Sequence, residues 1–234
     1  MIGTLETDGF YIAPNVLDRN AIADLIAVLD CADMARSKRG AEVFGARNLL
    51  DIPEIRVLAN SPAIIPLFHP VLGQNAIPIR GIFFDKTPGA NWPVAWHQDL
   101  TLAVIERRDL PGWTNWSVKR GAHHVNPPVS ILQNMVTLRV MLDDCDADNG
   151  PLRVMPGSHR LGRLAREQIV ECCASHEEQE CLGRAGDVLM MRPLLVHASS
   201  AARNPRHRRV VHIEFVAADV VPENLVATPP ATGS

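Results

Sequence analysis

Beyond residue 77 the chain breaks into short apolar runs, at 79–84, 130–142, 150–155, 187–191 and 210–216, enriched in Val, Ile, Leu and Phe. Clusters of Gly, Pro, Asp and Asn separate them. Runs this short, bounded by turn residues, are strands rather than helices. No helical pattern alternates with them, so they point to a β-sandwich with flanking helices and away from a βαβ sheet. The helical signal lies upstream. Phe10-Tyr11-Ile12 is a short strand leading to a helix N-capped by Asp18, with Ile22, Leu25, Ile26 and Leu29 at i, i+3, i+4, i+7 spacing. Ser61-Pro62 predicts a second helix, capped by the serine and ending near Leu72 before Gly73. Both helices are expected on one outside face of the strands.

Composition excludes several classes. The 234 residues suit one domain: a helical flank at 1–76, a strand core at 77–219 with a lid insert at 102–130, and a frayed tail at 220–234. With 47% hydrophobic residues the chain is not disordered. Its 23 Lys+Arg against 26 Asp+Glu give 23 − 26 = −3, which argues against a nucleic-acid partner. Neither GxGxxG nor GxxxxGK[ST] is present, so no phosphate-cradling loop supports nucleotide binding. The five cysteines, with no CxxC pair, predict reduced and mostly buried thiols. The N-terminal stretch lacks the pattern of a signal peptide, and no apolar run reaches the roughly 18 residues of a membrane helix. A cytoplasmic protein with no membrane partner is the expectation.

Nine histidines raise the question of which are ligands. In Trp96-His97-Gln98-Asp99, strand alternation puts His97 and Asp99 on one face and Gln98 on the other. An imidazole and a carboxylate side by side need one more histidine to form the facial triad that leaves half of an octahedral iron open. His197, ending an apolar run, is one candidate; His159, in Pro156-Gly157-Ser158-His159, is its rival. A His-x-Asp triplet is common by chance, so its partners carry the argument. Arg208 opens the last strand, where an inward arginine needs an anion, and its planar fork suits a carboxylate. Arg206, His207 and Arg209 are expected to be solvated.

These motifs, with Leu142-Asp143-Asp144, Asn149-Gly150-Pro151-Leu152, Gly186-Asp187-Val188 and the opening Asp8-Gly9-Phe10, occur in one order from residue 8 to Phe215. In that order the chain resembles the phytanoyl-CoA dioxygenase-like family of Fe(II)/2-oxoglutarate-dependent oxygenases. The resemblance implies a mainly β fold with flanking helices and a double-stranded β-helix (jelly-roll, cupin-like) core. It implies His97, Asp99 and His197 as catalytic metal ligands for Fe(II), with Arg208 holding the distal carboxylate of 2-oxoglutarate. Ser199 matches a position that assists that carboxylate, and Gln133 and Thr137 match a strand that lines the co-substrate pocket. The implied reaction uses O2, releases succinate and CO2, and hydroxylates, desaturates or cyclises a small-molecule substrate. Because Asp99 is retained, the halogenating variant of this chemistry is disfavoured. His159 falls, by the same resemblance, in a structural turn. Trp113, Trp116, Arg120, His124, Arg153 and Arg192 are candidate substrate contacts. The alternative is a non-catalytic or 2-oxo-acid-independent cupin-like metal-binding protein.

Overall fold

Alternation along the inner strands sorts this chain into layers. The computed structural model describes residues 4–32, 35–39, 42–119 and 121–226. In chain order its elements begin with β1 (Phe10–Ala13), α1 (Arg19–Cys31), β2 (Ala35–Arg39) and β3 (Glu42–Arg47). Then come α2 (Pro53–Ala59), α3 (Ile65–Leu72), β4 (Ala76–Lys86) and β5 (Val94–His97). The middle of the chain holds β6 (Leu102–Val104), β7 (Thr114–Lys119), β8 (Ala122–Asn126), α4 (Val129–Leu132) and β9 (Met135–Met141). The last third holds β10 (Leu152–Val154), α5 (Arg166–Ser175), β11 (Gln179–Cys181), β12 (Val188–Met191), β13 (His197–Ser199) and β14 (Arg208–Ala217).

A seven-stranded sheet runs β1-β12-β9-β14-β4-β3-β2, and a four-stranded sheet runs β11-β10-β13-β5. In β9 and β14 one face carries Val136, Leu138, Val140, Val211, Ile213 and Phe215, which pack under Ile22, Leu25, Leu29, Phe68 and Leu72 of the helices. Phe68 of α3 stacks on Phe215 at 4.2 Å between centroids. The opposite face carries Thr137, Arg139, His212 and Glu214, all buried. That polar inner face looks onto the smaller sheet, and a cavity lined by β4, β9 and β14 on one side and β5, β10 and β13 on the other lies between them. This is the jelly-roll arrangement.

Several elements differ from the sequence reading. The second helix begins at Ile65, because the Ser61 carbonyl accepts from Ile64 and Ile65 in a preceding turn, while the Ser61 hydroxyl has no partner. The strand expected at 130–142 starts only at Met135; Pro128 opens the helical turn α4 before it. The insert at 102–130 is not an open loop. Its strands form a three-stranded sheet, β6-β8-β7, anchored by buried Leu102, Val104 and Val125. The tail is docked as far as Val226: Leu225 and Val226 are buried against the same cluster, and Leu225 accepts from the Ile105 N–H at 2.9 Å. Residues 227–234 and Arg120 lie outside the described residues. The five cysteines are free thiols, three of them buried. Among the described residues no helix is long and apolar enough to cross a membrane.

Candidate metal centre and its two cavities

His97 ends β5 and His197 begins β13, and the two are direct partners across the antiparallel ladder. The chain leaves β5 after His97, so Gln98 and Asp99 lie beyond the strand end. Alternation nevertheless persists. The Gln98 amide turns away to donate to the carbonyls of Gly162 and Leu194, at 2.8 and 2.6 Å, while its oxygen accepts from the Leu164 N–H. With the Asp99 N–H donating to Pro193, this clamps the residue that follows the strand. Asp99 then faces both imidazoles, Oδ1 at 3.8 Å from His97 Nε2 and Oδ2 at 3.7 Å from His197 Nε2. One donor atom from each residue falls within 4.8 Å of the others.

The tautomers follow from the hydrogen bonds. His97 Nδ1 lies 2.8 Å from the Ala95 carbonyl and His197 Nδ1 lies 2.8 Å from the Leu195 carbonyl. A carbonyl only accepts, so each Nδ1 carries a proton and Nε2 is the nitrogen turned to the Asp99 carboxylate and open to a ligand. Burial pulls His197 down to about 4, which keeps it neutral and ready to ligate. Burial pushes the Asp99 carboxyl up, but the pull of His197, His212, His97 and Arg80 outweighs it and holds the group at about 2. Two imidazoles, each with Nδ1 turned to a carbonyl, and one carboxylate on one side of a pocket are the donor set of a facial triad, so the residues fit a divalent iron.

Behind Asp99 runs a buried polar chain. Arg80 pairs with Glu214 and donates to Thr101 Oγ1 at 3.1 Å. His212 Nε2 donates to Glu214 Oε1 at 3.2 Å, which leaves Nδ1 to accept from Arg139 at 3.0 Å. Asp99, His212 and Glu214 also lie close enough to share an ion. With the His212 Nε2 proton directed at Glu214, and Glu214 neutralised by Arg80, this second group supports Asp99 rather than competing for metal.

The cavity next to the triad has a volume of about 210 Å³. Arg208 lies across from Lys86 in the β14–β4 register, and both side chains are buried. Lys86 donates to Ser199 Oγ at 2.7 Å and to the Ser200 carbonyl. Arg208 Nε has no hydrogen-bond partner. Burial, then the repulsion of Arg208, lowers the Lys86 ammonium to about 7. Burial and Arg208 likewise bring Arg139 down to about 10. Among the described residues no carboxylate forms an ion pair with Lys86, Arg139 or Arg208. Three cations crowded into a small buried space call for an anion.

The structure brings His97, Asp99, His197, Ser199 and Arg208 to this one cavity. Thr137 is buried on the same inner face as Arg139, its hydroxyl without a partner. Gln133 is a correction: it caps α4 with an exposed side chain, not on β9, its N–H donating to the Val129 carbonyl and its own carbonyl accepting from Arg192. Trp113 and Trp116 pack against the apolar cluster of the insert and line neither cavity. Arg153 faces outward from β10, over the Trp96 ring and paired with Glu178. Arg192 holds backbone carbonyls. His159 donates from Nε2 to the Glu6 carbonyl and, among the described residues, does not cluster with His97, Asp99 and His197. Arg209 is not simply solvated, since Asp143 binds it through two oxygens at 2.9 and 2.7 Å. Lys86, Arg139, His212 and Glu214 were missed. Their signal was a charged or polar residue at an inward position of an apolar strand, the reasoning that singled out Arg208.

A second, larger cavity of about 580 Å³ lies beside the first, sharing Arg80 and Ile82 of β4, and His124 lines it.

A family model described as phytanoyl-CoA dioxygenase (PhyH) matches residues 5–210. A curated protein of Stutzerimonas stutzeri, a probable alpha-ketoglutarate-dependent hypophosphite dioxygenase, is 24% identical over 179 residues, covering 70% of this chain and 54% of its own length. The chain thus spans about half the length of that curated relative. Among solved structures, AviO1 from Streptomyces viridochromogenes Tue57 has a TM-score of 0.67 at 22% identity, over 93% of this chain and 94% of the other. EctD from S. alaskensis, with 2-oxoglutarate and 5-hydroxyectoine, has 0.71 at 17% identity, over 96% and 76%. Those two likenesses are of fold. The family match spans nearly the whole jelly-roll and the motifs that meet at its pocket: the chain belongs to the phytanoyl-CoA dioxygenase (PhyH) family.

Proposed function

We propose that the protein is a non-haem Fe(II)- and 2-oxoglutarate-dependent dioxygenase that hydroxylates, desaturates or cyclises a small-molecule substrate and releases succinate and CO2. The observation that carries this reading is the facing of two complementary halves across one cavity. A three-donor set with both Nε2 atoms turned to the Asp99 carboxylate meets three cations that lack a carboxylate partner among the described residues. His97, Asp99 and His197 hold the iron. Arg208 receives the distal carboxylate of 2-oxoglutarate, and Lys86, held by Ser199, adds a second positive charge. Iron, when bound, supplies the activation of O2 coupled to decarboxylation of the co-substrate. The chain's own contribution is orientation: imidazoles fixed by backbone carbonyls, the Gln98 clamp, and the buried Arg139, His197 and Arg208 in the cavity wall. The curated relative named for alpha-ketoglutarate dependence and the structure of EctD with 2-oxoglutarate support the choice of co-substrate. The free thiols suit a cytoplasmic setting. Anaerobic titration with Fe(II) and 2-oxoglutarate tests the proposal. A weak visible charge-transfer band is expected in the native chain and none in Asp99→Ala; a folded native chain without the band overturns it.

A further inference from the structure

Asp99 lies beyond the end of β5, outside the ladder that pairs His97 with His197. Its N–H is tied to the Pro193 carbonyl, and its carboxylate faces the two imidazoles at 3.8 and 3.7 Å. Strand pairing therefore does not set the angle of that carboxylate. The segment that follows it has an anchor of another kind. Thr101, two residues on, is half-buried, and its Oγ1 accepts from Arg80 Nη1 at 3.1 Å. Arg80 belongs to β4 of the seven-stranded sheet, which forms the opposite wall of the metal cavity. One guanidinium thus ties that wall to the segment bearing the metal carboxylate.

The guanidinium is itself fixed. Arg80 and Glu214 are direct partners in the β4–β14 register, and Arg80 Nη2 donates to Glu214 Oε1. Glu214 is 1% exposed, and the same oxygen accepts from His212 Nε2 at 3.2 Å. Arg139 Nη1 in turn donates to His212 Nδ1 at 3.0 Å, which anchors the chain on β9. Charge alone does not require this shape, since Glu214 already neutralises Arg80 within the sheet. The second prong is what reaches Thr101. A planar, rigid fork transmits the position of one prong to the other, which the flexible stem of a lysine would not do.

We propose that Arg80 is a positioning residue for the metal ligand Asp99. Held by Glu214, it fixes the Thr101 hydroxyl and, through two residues of backbone, the angle at which the Asp99 carboxylate meets the metal. The role rests on the dioxygenase reading for the metal and its three ligands, and adds to that reading residues outside the donor set. Replacing an outer residue that orients a metal ligand typically costs about 10–100-fold in metal affinity or activity.

Anaerobic competition between the full-length protein and a fluorescent chelator for Fe(II) alone, without co-substrate, measures the iron dissociation constant. Thr101→Val keeps the side-chain shape and removes the hydroxyl, and is expected to raise that constant by about 10-fold or more. Thr101→Ser keeps the hydroxyl and is expected to stay within about threefold of native. Arg80→Met leaves Glu214 buried without its cation, so the double variant Arg80→Met/Glu214→Met, which removes both charges, is measured beside it. The double variant is expected to lose iron affinity as Thr101→Val does. At saturating iron, the 2-oxoglutarate dissociation constant of Thr101→Val is expected within about twofold of native, because Lys86 and Arg208 are untouched. Native iron affinity in Thr101→Val overturns the inference, and so does a loss in Thr101→Ser as large as in Thr101→Val. An iron loss that comes with a lowered urea midpoint of metal-free Thr101→Val overturns it too, since the hydroxyl then acts on the fold. A native chain that binds no Fe(II) defeats the dioxygenase reading itself. A native chain that binds Fe(II) and shows the charge-transfer band, beside a Thr101→Val that matches it, defeats the positioning role alone.

Discussion

The imidazoles of His97 and His197 are each fixed by a carbonyl two residues earlier in the chain, so their ligating nitrogens are set before any metal arrives. The cations opposite are set in the same way, by burial. Arg208 is 5% exposed and faces Lys86 across the ladder. Charge-assisted hydrogen bonds contribute about 1.5–3 kcal/mol, roughly 10–100-fold in affinity. Arg208→Ala is therefore expected to raise the 2-oxoglutarate dissociation constant by about that factor with little change in iron affinity. A value within twofold of native would move the carboxylate role elsewhere. Lys86 predicts a pH signature. Burial and Arg208 lower its ammonium from 10.5 to about 7, so it is charged at pH 6 and neutral at pH 9. A dianionic ligand prefers the charged form and takes up a proton as it binds above pH 7. The dissociation constant for 2-oxoglutarate should rise between pH 7 and 9, by at most about tenfold per unit, and Lys86→Met should flatten that slope. Charge-transfer titrations at three pH values measure it, and an equal slope in the variant removes Lys86 from the anion site.

At the scale of elements, the segment after β13 is held against the turn before β10 with no spare room. Gly150 has φ +61°, and a Cβ there would lie 2.7 Å from the Ser200 carbonyl and 3.1 Å from the Ala202 nitrogen. Ser200 is the carbonyl that accepts from Lys86. Gly150→Ala combines a left-handed backbone with a backbone clash, so a loss of about 1–3 kcal/mol is expected, with severalfold weaker 2-oxoglutarate binding. Urea unfolding and the same titration together check it; lost stability with unchanged binding would uncouple the turn from the pocket. Across the sheet, Phe68 of α3 is 1% exposed and stacked on Phe215. Its replacement by alanine should cost about 3–5 kcal/mol in chemical denaturation, the usual range for a large buried aromatic. Strands with this kind of burial were legible in the sequence: β4, β9, β12 and β14 carry unbroken or alternating apolar residues. The strands of the insert were not. The polar Thr114–Lys119 strand, TNWSVK, is held by backbone pairing to β8, a contribution that side-chain pattern does not encode. Helix α5 buries only Cys172, so no apolar period marks it.

Over the whole molecule, buried neutral imidazoles couple stability to acid. His197, His212, His124 and His159 are all lowered from the ordinary histidine value, burial being the largest cause in each. The unfolded chain binds protons near pH 6.5 and the folded chain only below it, so the unfolded state holds more protons as the pH falls. The metal-free protein should therefore lose stability steadily from pH 6.5 toward pH 5, read as falling thermal midpoints, and a level midpoint across that range would contradict neutral buried rings. The sequence by itself indicated the β-rich class and the flanking helices, and singled out the His97-x-Asp99 pair, Arg208 and two rival histidines, His159 and His197. Each of these rests on local information: strand period, cap chemistry, residue type, or a charge where an apolar strand should be. Only the tertiary structure decided what meets what. It turned the expected lid into a small sheet, moved Gln133, Trp113, Trp116 and Arg153 away from the pocket, and brought in Lys86, Arg139, His212 and Glu214. It also gathered Arg47, Arg56, Arg80 and Lys119, from four separate elements, around one cavity. The reason is physical. Pairing register and the packing of one sheet over another are set by contacts between residues far apart in the chain, and electrostatic fields add across those contacts rather than along the sequence.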